Sequence, residues 1–310
     1  MSATRPARPS PRFDYTTVGH VTVDVLEDGS RLPGGSAFYS ALQASRLGRR
    51  TLILTQGLPA EIDALLRPYE QELTWEIAPA AETTRLRTAG SGAGRRQWIL
   101  AWAGPMSECP RLNTHILHLA PVARESPPSW SGIAEFVGLT PQGLVRRWPS
   151  IGAEVSLLGQ ASSQNDAGAG EGARTGVRSC ALTGLAGRCD AIVVSEHEQR
   201  SCAEMIAAGE AAGAIVAVTA GAHPTTILQA GGGAQEVGVP AVAEPGEDLG
   251  AGDVFAAAFF VAVADGLPAL AAADFANAAA ALRLSGRGAA AIGDRAAIES
   301  RLRSAEAAGG

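Results

Sequence analysis

Glu247-Asp248-Leu249-Gly250-Ala251-Gly252-Asp253-Val254-Phe255, running on into Ala256-Ala257-Ala258, is the stretch on which the fold turns. Its glycines permit a tight turn and the close approach of a ligand, and the apolar run that follows opens a helix. The first N–H groups of a helix have no intrahelical partner, and the helix dipole places about half a positive charge there. The segment therefore offers an anion site that needs no lysine. Asp253 falls in the first turn. A carboxylate at that point serves as a base toward a hydroxyl while the neighbouring N–H groups hold a phosphoryl group. The plainer alternative is an aspartate that only stabilises its own helix.

The absence of lysine matters because the chain contains none: all 25 basic residues are arginine. A Walker A lysine, a Schiff-base lysine and a protein-kinase strand lysine are all excluded. Phosphate chemistry here must use backbone N–H groups, arginine and metal. The chain has 310 residues, 46% of them hydrophobic, which is enough to bury one large core. Acidic residues outnumber basic ones, 31 to 25, and no basic patch emerges, so no nucleic-acid partner is expected. Cys109, Cys180, Cys189 and Cys202 form no C-x-x-C pair and fit a reduced, cytoplasmic protein. The opening MSATRPARPSPRF lacks an apolar core, so residues 1–14 read as a disordered lead-in rather than a signal peptide. The most apolar run, Val254 to Ala264, stops at Asp265 and falls short of the roughly 20 residues of a membrane span.

Outward from the decisive stretch, short β-type runs alternate with helical spacing. Strands are expected within Tyr15–Leu26 and at Thr51–Leu54, Leu73–Ile77, Thr84–Thr88, Gln97–Ala101, His115–Leu119, Glu135–Leu139, Ala191–Val194 and Ala214–Val218. Helices are expected at Ser36–Leu47, Ala60–Arg67, Ser201–Ala212, Ala251–Ala264, Leu267–Leu284 and Arg295–Ala307. This βαβ pattern with a helical last third indicates an α/β fold, a doubly wound and mostly parallel sheet flanked by helices. Thr84 to Trp102 reads as a hairpin outside the main sheet, and Gly159 to Gly176 as a mobile surface loop.

Gly34-Gly35-Ser36 supplies a flexible approach and an N-cap to the first helix, and a cap alone would explain it. Asp24, ten residues earlier, either faces the same cleft, where it accepts hydrogen bonds from substrate hydroxyls, or sits on the surface. The clusters Gly90–Gly94 and Gly168–Gly172 join no strand to a helix, so no dinucleotide fingerprint is present. The five histidines lack metal-ligand spacing and read as structural or surface residues.

Gly34-Gly35…Leu47-Gly48 near the start and Glu247…Gly250-Ala251-Gly252-Asp253-Val254-Phe255 near the end together resemble the two signatures of the PfkB (ribokinase-like) carbohydrate kinases. Weaker echoes follow in the same order. Val18-Gly19…Asp24 looks like that family's first strand with its sugar-binding aspartate. Ser195-Glu196-His197-Glu198 looks like its Asn-x-x-Glu, and Val218-Thr219-Ala220-Gly221 like its nucleotide loop. Phe275-Ala276-Asn277-Ala278 resembles the helix beside the adenine pocket, and Gly288-Ala289 the loop after it. The chain departs from the pattern at Ser36, Ser195, Pro224, Ala258 and the pair Glu247-Asp248, which stands where the family has Asp-Thr. Thr83-Thr84, Arg95-Arg96, His118–Ala123 and Gly138-Leu139-Thr140-Pro141-Gln142-Gly143 followed by Arg146-Arg147-Trp148 are similar to the myo-inositol kinase-like subgroup.

The resemblance implies one ribokinase-like domain over 15–310, with a small β lid from about 20–33 and 84–102. It implies a cytoplasmic kinase that moves the γ-phosphoryl group of ATP to a hydroxyl of a sugar, cyclitol or related polyol, with no nucleic acid or membrane as partner. Asp253 would be the base and Gly250, Ala251 and Gly252 the anion hole. Asp24, Gly34, Gly35, Ser36 and Arg96 (or its neighbour Arg95) would hold the acceptor. Ser195, Glu198, Thr219, Gly221, Asn277 and Gly288 would border the nucleotide, with Mg2+ reached from Glu198 through water. A monovalent cation such as K+ near Glu247 is an optional further cofactor, and a homodimer an optional assembly. Two other readings stand beside this one. In a nucleoside kinase, Phe38, Tyr39 and Trp102 would form a slot for the base. The other is a catalytically inactive sugar- or nucleotide-binding regulator.

Overall fold

The computed structural model describes residues 13–106, 111–125, 130–159, 182–243 and 246–309. In chain order the strands are β1 (Phe13–Val18), β2 (Thr22–Val25), β3 (Arg31–Gly34), β4 (Thr51–Gly57), β5 (Thr74–Pro79), β6 (Arg85–Ala89), β7 (Arg96–Ala101), β8 (Arg111–Leu119) and β9 (Ser131–Leu139). They continue with β10 (Arg146–Arg147), β11 (Ser156–Leu157), β12 (Ala191–Ser195), β13 (Ile215–Ala220), β14 (His223–Gln229) and β15 (Gly233–Val237). The helices are α1 (Ser36–Arg46), α2 (Pro59–Leu66), α3 (Gln142–Val145), α4 (Glu196–Gln199), α5 (Ala203–Ala211), α6 (Ala251–Ala264), α7 (Ala269–Leu284) and α8 (Arg295–Gly309).

Nine strands form the main sheet in the order β15-β14-β13-β12-β9-β8-β1-β4-β5. From β13 to β5 every neighbouring pair is parallel, and the β13–β14–β15 edge is antiparallel. The continuous apolar runs of the inner strands follow from burial on both faces. Along β12, Ala191 and Val193 enter one core with α1, α6 and α7, while Ile192 and Val194 enter the other with Met205 and Ile206 of α5. Helix α6 is buried from Val254 to Ala262, as an all-apolar helix in the middle of a layer must be. Close packing then dictates small residues. A Cβ on Gly138 of β9 would stand 2.5 Å from the Phe260 ring of α6.

A second sheet of four strands, β3-β2-β6-β7, stands apart from the first. Its strands come from 22–34 and 85–101, and Leu86 and Ile99 pack on Val122, Ala123 and Trp148 beneath it. Several expectations shift. The first strand starts at Phe13, inside the stretch read as a lead-in, and Asp14 takes hydrogen bonds from Arg50. The β14–β15 hairpin is a further element, as are the short pieces α3, β10 and β11. The loop expected from Gly159 lies, beyond that residue, outside the described residues.

Candidate active site

Parallel strands deliver their carboxyl ends to one edge of the sheet, where open α/β folds bind ligands. Ser195 at the end of β12 lies beside Thr219 of β13, and α6 begins nearby on the helical side. Gly250 is the N-cap of α6 in the left-handed conformation, φ 80°. A Cβ there would also lie 2.5 Å from the Tyr39 ring, so the position is closed to any larger residue. The Ala251 N–H turns back to the Asp248 carbonyl at 3.2 Å. The Gly252 and Asp253 N–H groups have no backbone acceptor among the described residues, so of the first-turn donors these two are available to an anion and Ala251 is engaged. Gly252 faces open space: a Cβ there would meet no atom within 4 Å.

Asp253 is held by α1 as well as by its own helix, since the Ser40 hydroxyl donates to the Asp253 carbonyl at 3.1 Å. Burial pushes its carboxyl up to about 6, against the opposing pull of the Ser36 hydroxyl and the positive charge of Arg146. Ser36 is buried and its oxygen makes no close hydrogen bond, so it stands beside Asp253 with bonding capacity to spare. Asp24, on β2 of the small sheet, is likewise buried and pushed up to about 6, although the Thr22 hydroxyl donates to it at 2.7 Å. Gly34 must be glycine because the Asp24 carboxylate fills its side-chain space, 2.0 Å from where a Cβ would be. Gly35 caps α1 at φ 88°, with the His20 carbonyl 2.4 Å from its own Cβ position. The Gly-Gly pair thus brings Asp24 and Ser36 into one cleft with Asp253.

Arg146, absent from the expected acceptor site, is the central cation of this cleft. It is buried, donating to the Val122 carbonyl at 2.9 Å and to Gln97 Oε1 at 2.7 Å. Its charge lowers the pKa of both Asp24 and Asp253. The floor below is a buried polar layer in which His20 Nε2 has no hydrogen-bond partner among the described residues. Glu125 accepts from the N–H groups of His20, Val122 and Ala123, and the His20 ring meets Thr84 at 2.9 Å.

The small sheet reaches over the start of α6. In the β6–β7 turn, the Gly92 N–H donates to Asp248 at 2.7 Å and Arg95 pairs with Asp248 at 2.5 Å. Burial alone would raise the Asp248 carboxyl, but these two partners hold it below the usual range. Arg95 also lowers the pKa of Asp253, whereas Arg96 turns outward to an ion pair with exposed Glu154 and stacks on Trp98. Arg95, not Arg96, is the arginine of the pair that faces the site.

On the opposite side, Glu198 is buried with Oε2 accepting from the Ser195 N–H at 3.1 Å, and its charge reaches Asp253 and Arg146. No group of three His, Cys, Asp or Glu side chains among the described residues forms a metal cage. Mg2+ that arrives on phosphates needs only one or two carboxylates, so Glu198 fits that need, with water between. Gly221, exposed with φ 62°, opens the turn between β13 and β14. Asn277 is buried, accepts from Thr225 at 2.8 Å and donates to the Gly238 carbonyl at 3.0 Å, so it ties α7 to the antiparallel edge. The Gly288 N–H is bonded to Glu247 Oε2 at 3.0 Å. Of the three aromatics expected to form a slot for a base, Phe38 is buried against Tyr39 and Tyr69, and Trp102 donates to the Ala123 carbonyl at 2.6 Å and packs edge-on to Trp148. No described helix is long and apolar enough to cross a membrane.

Residues 181–295 match the family described as pfkB family carbohydrate kinase. No curated protein sequence matches this one. Among solved structures, the chain is similar to the nucleoside kinase of Methanocaldococcus jannaschii, an archaeal member of the ribokinase family. The TM-score is 0.68 at 15% identity, over 96% of this chain and 100% of that one. A pyrophosphate-dependent kinase of the ribokinase family, complexed with a pyrophosphate analogue and myo-inositol, gives 0.66 at 19% identity, over 92% and 99%. The fructokinase of Vibrio cholerae O395 with fructose, ADP and calcium gives 0.66 at 17%, over 93% and 99%. These likenesses establish a ribokinase-like fold.

Proposed function

We propose that this chain, a ribokinase-like fold with a pfkB carbohydrate kinase match over residues 181–295, transfers the γ-phosphoryl group of ATP to a hydroxyl of a sugar, cyclitol or related polyol. The observation that carries this reading is the position of Asp253. It is a half-buried carboxylate pushed up to about 6, in the first turn of a helix whose Gly252 and Asp253 N–H groups have no backbone acceptor among the described residues. A base poised near neutral pH beside an anion site is the equipment for moving phosphate onto an alcohol.

In this mechanism Asp24 and Ser36 accept from and donate to acceptor hydroxyls, and Arg146 keeps both carboxylates ionised between them. Asp253 takes the proton of the attacking hydroxyl. The free N–H groups at the start of α6 meet the negative charge that grows on the moving phosphoryl group. Positioning and electrostatics suffice for phosphoryl transfer. Bound Mg2+ supplies neutralisation of phosphate charge, and Glu198 would hold its water shell. The small sheet, clasped to Asp248, would exclude water and so limit ATP hydrolysis.

The test is phosphoryl transfer followed by 31P NMR, with Mg2+ and either ATP or pyrophosphate as donor. The acceptors are myo-inositol, fructose, ribose and nucleosides. Transfer from ATP to a polyol is expected. Silence with every pair in folded protein, or transfer to nucleosides alone, contradicts the proposal. Transfer from pyrophosphate alone would keep the acceptor chemistry and replace the donor.

A further inference from the structure

Arg283 is the largest of the fully buried side chains, and the chemistry above makes no use of it. It projects from the last turn of α7, an otherwise alanine- and leucine-rich helix. Its Nη1 donates to the Glu247 carbonyl at 3.0 Å and to the Gly286 carbonyl at 3.4 Å, and its Nη2 lies 3.5 Å from Glu247 Oε2. That same carboxylate oxygen accepts the Gly288 N–H. The guanidinium thus gathers two backbone carbonyls and a carboxylate from two segments, 246–250 and 284–288. The first of these leads into the anion site. Its carbon also lies 5.7 Å from the Tyr39 ring centre, on the ring that seats Gly250.

Carbonyl and carboxylate oxygens converging on one point are what a monovalent cation such as K+ requires. Here a guanidinium already uses those oxygens, and arginine stays charged under all ordinary conditions. A second cation would sit within a few ångströms of it in a buried, low-dielectric place, where like charges repel strongly. The residues therefore do not fit a K+ ion near Glu247.

We infer that Arg283 is a tethered cation: it holds the loop before Gly250 against the loop after α7 and makes the site independent of monovalent ions. It is a positioning residue, since it touches none of the reacting atoms. The inference rests on the kinase reading only for its turnover arm.

The experiment uses the full chain in K+, Na+ or choline chloride at equal ionic strength, and reads both thermal unfolding and, with an acceptor in hand, turnover. An ion that binds only the folded state raises its stability by RT ln(1 + [ion]/Kd), so a K+-specific site shows in the melting temperature without substrate. The wild-type chain is expected to melt alike in all three salts and to turn over within about twofold in each. Arg283→Ala is expected to lose stability and turnover in choline, and to regain part of both with K+ or guanidinium ion. Arg283→Lys, which keeps a charge at the position, should stay nearly indifferent to K+. A saturable, K+-specific rise in wild-type melting temperature overturns the inference. So does a folded Arg283→Ala protein that no cation restores. If Arg283→Ala does not fold, the wild-type salt comparison and Arg283→Lys decide. If no acceptor is found, turnover falls silent and the melting comparison still reads out.

Discussion

The two sides of the cleft at the start of α6 are built in opposite ways. Around the buried Asp24 and Ser36 and the half-buried Asp253, neither carboxyl is paired with a charge among the described residues. Both carboxyls sit near 6 with no basic side chain within 4 Å among the described residues, and the Ser36 oxygen has no close partner. Across from them, Asn277 and Glu198, which the sequence resemblance assigned to the nucleotide, and Glu247 are bonded to protein groups. Asn277 is bonded at both amide atoms, Glu198 caps its own short helix, and Glu247 binds Arg283 and Gly288. The contrast is one of charge pairing rather than of hydrogen bonding: among the described residues, Asp24 and Asp253 have no basic side chain in ion-pair contact, whereas Glu247 lies on Arg283, where Glu247 Oε1 and Arg283 Nε still lack hydrogen-bond partners. On the proposed reading the first side is the chemical half of the cleft and the second its frame.

The sharpest attempt to break this contrast is Asp253→Asn. Loss of a positioned base costs about 10²–10⁴ in kcat, and that loss is expected with ligand binding retained. Gly252→Ala comes next. Its Cβ meets no protein atom, so thermal stability should be unchanged or slightly higher, while turnover falls about 10²-fold because the added methyl blocks the open N–H groups. Gly250→Ala, two residues away, should instead unfold more easily, because φ is 80° there and the Tyr39 ring is in the way. Melting curves and steady-state rates of the two variants separate ligand space from packing space.

Asp24→Asn tests the same contrast through stability. A carboxyl raised from 3.8 to about 6 favours its protonated form in the fold. Its contribution is therefore fully present below pH 3.8 and is lost as pH rises through 6, where the ionised group becomes a cost. At pH 8 the amide variant should be more stable by about 1–3 kcal/mol, with the gain vanishing below about pH 4. It should also raise the acceptor KM. Arg146→Gln removes the cation shared by both carboxyls, so the acid limb of the kcat/KM profile, expected near pH 6, should move up by about half a unit to one unit. The smallest effect on rate belongs to the frame: Asn277→Ala should cost about 1–2 kcal/mol of stability and leave kcat nearly unchanged.

How much of this was legible in the sequence follows the same division. The inner strands announced themselves because burial on both faces makes them continuous apolar runs, as in Ala191–Val194. The β14–β15 hairpin did not, because the edge strand Gly233–Val237 is almost wholly exposed and the run His223–Gln229 buries only Thr225 and Ile227. Asp253 and Ser36 were findable because glycines flank them, with left-handed turns at Gly250 and Gly35, whereas Asp24 stood only at the end of a strand ten residues before Gly34, whose side-chain space its carboxylate fills. Arg146 reaches the cleft from a short strand after α3, through contacts to Val122 and Gln97 that no local pattern encodes. Arg283 did leave a signal, a lone arginine within the apolar run Ala276–Leu284 of α7. The choice between Arg95 and Arg96 depended on which face of β7 and its turn meets Asp248, a matter of register.

The most direct measurement pairs the turnover of Asp253→Asn with its thermal unfolding at pH 8 and pH 4. Here a nearly inactive protein that is more stable than the wild type at pH 8, by about 1–3 kcal/mol, and equal to it at pH 4 is the predicted result. A variant that keeps its turnover, or that is less stable than the wild type at pH 8, would contradict the account. In that case the carboxylate would be part of the frame and not the group that awaits the acceptor.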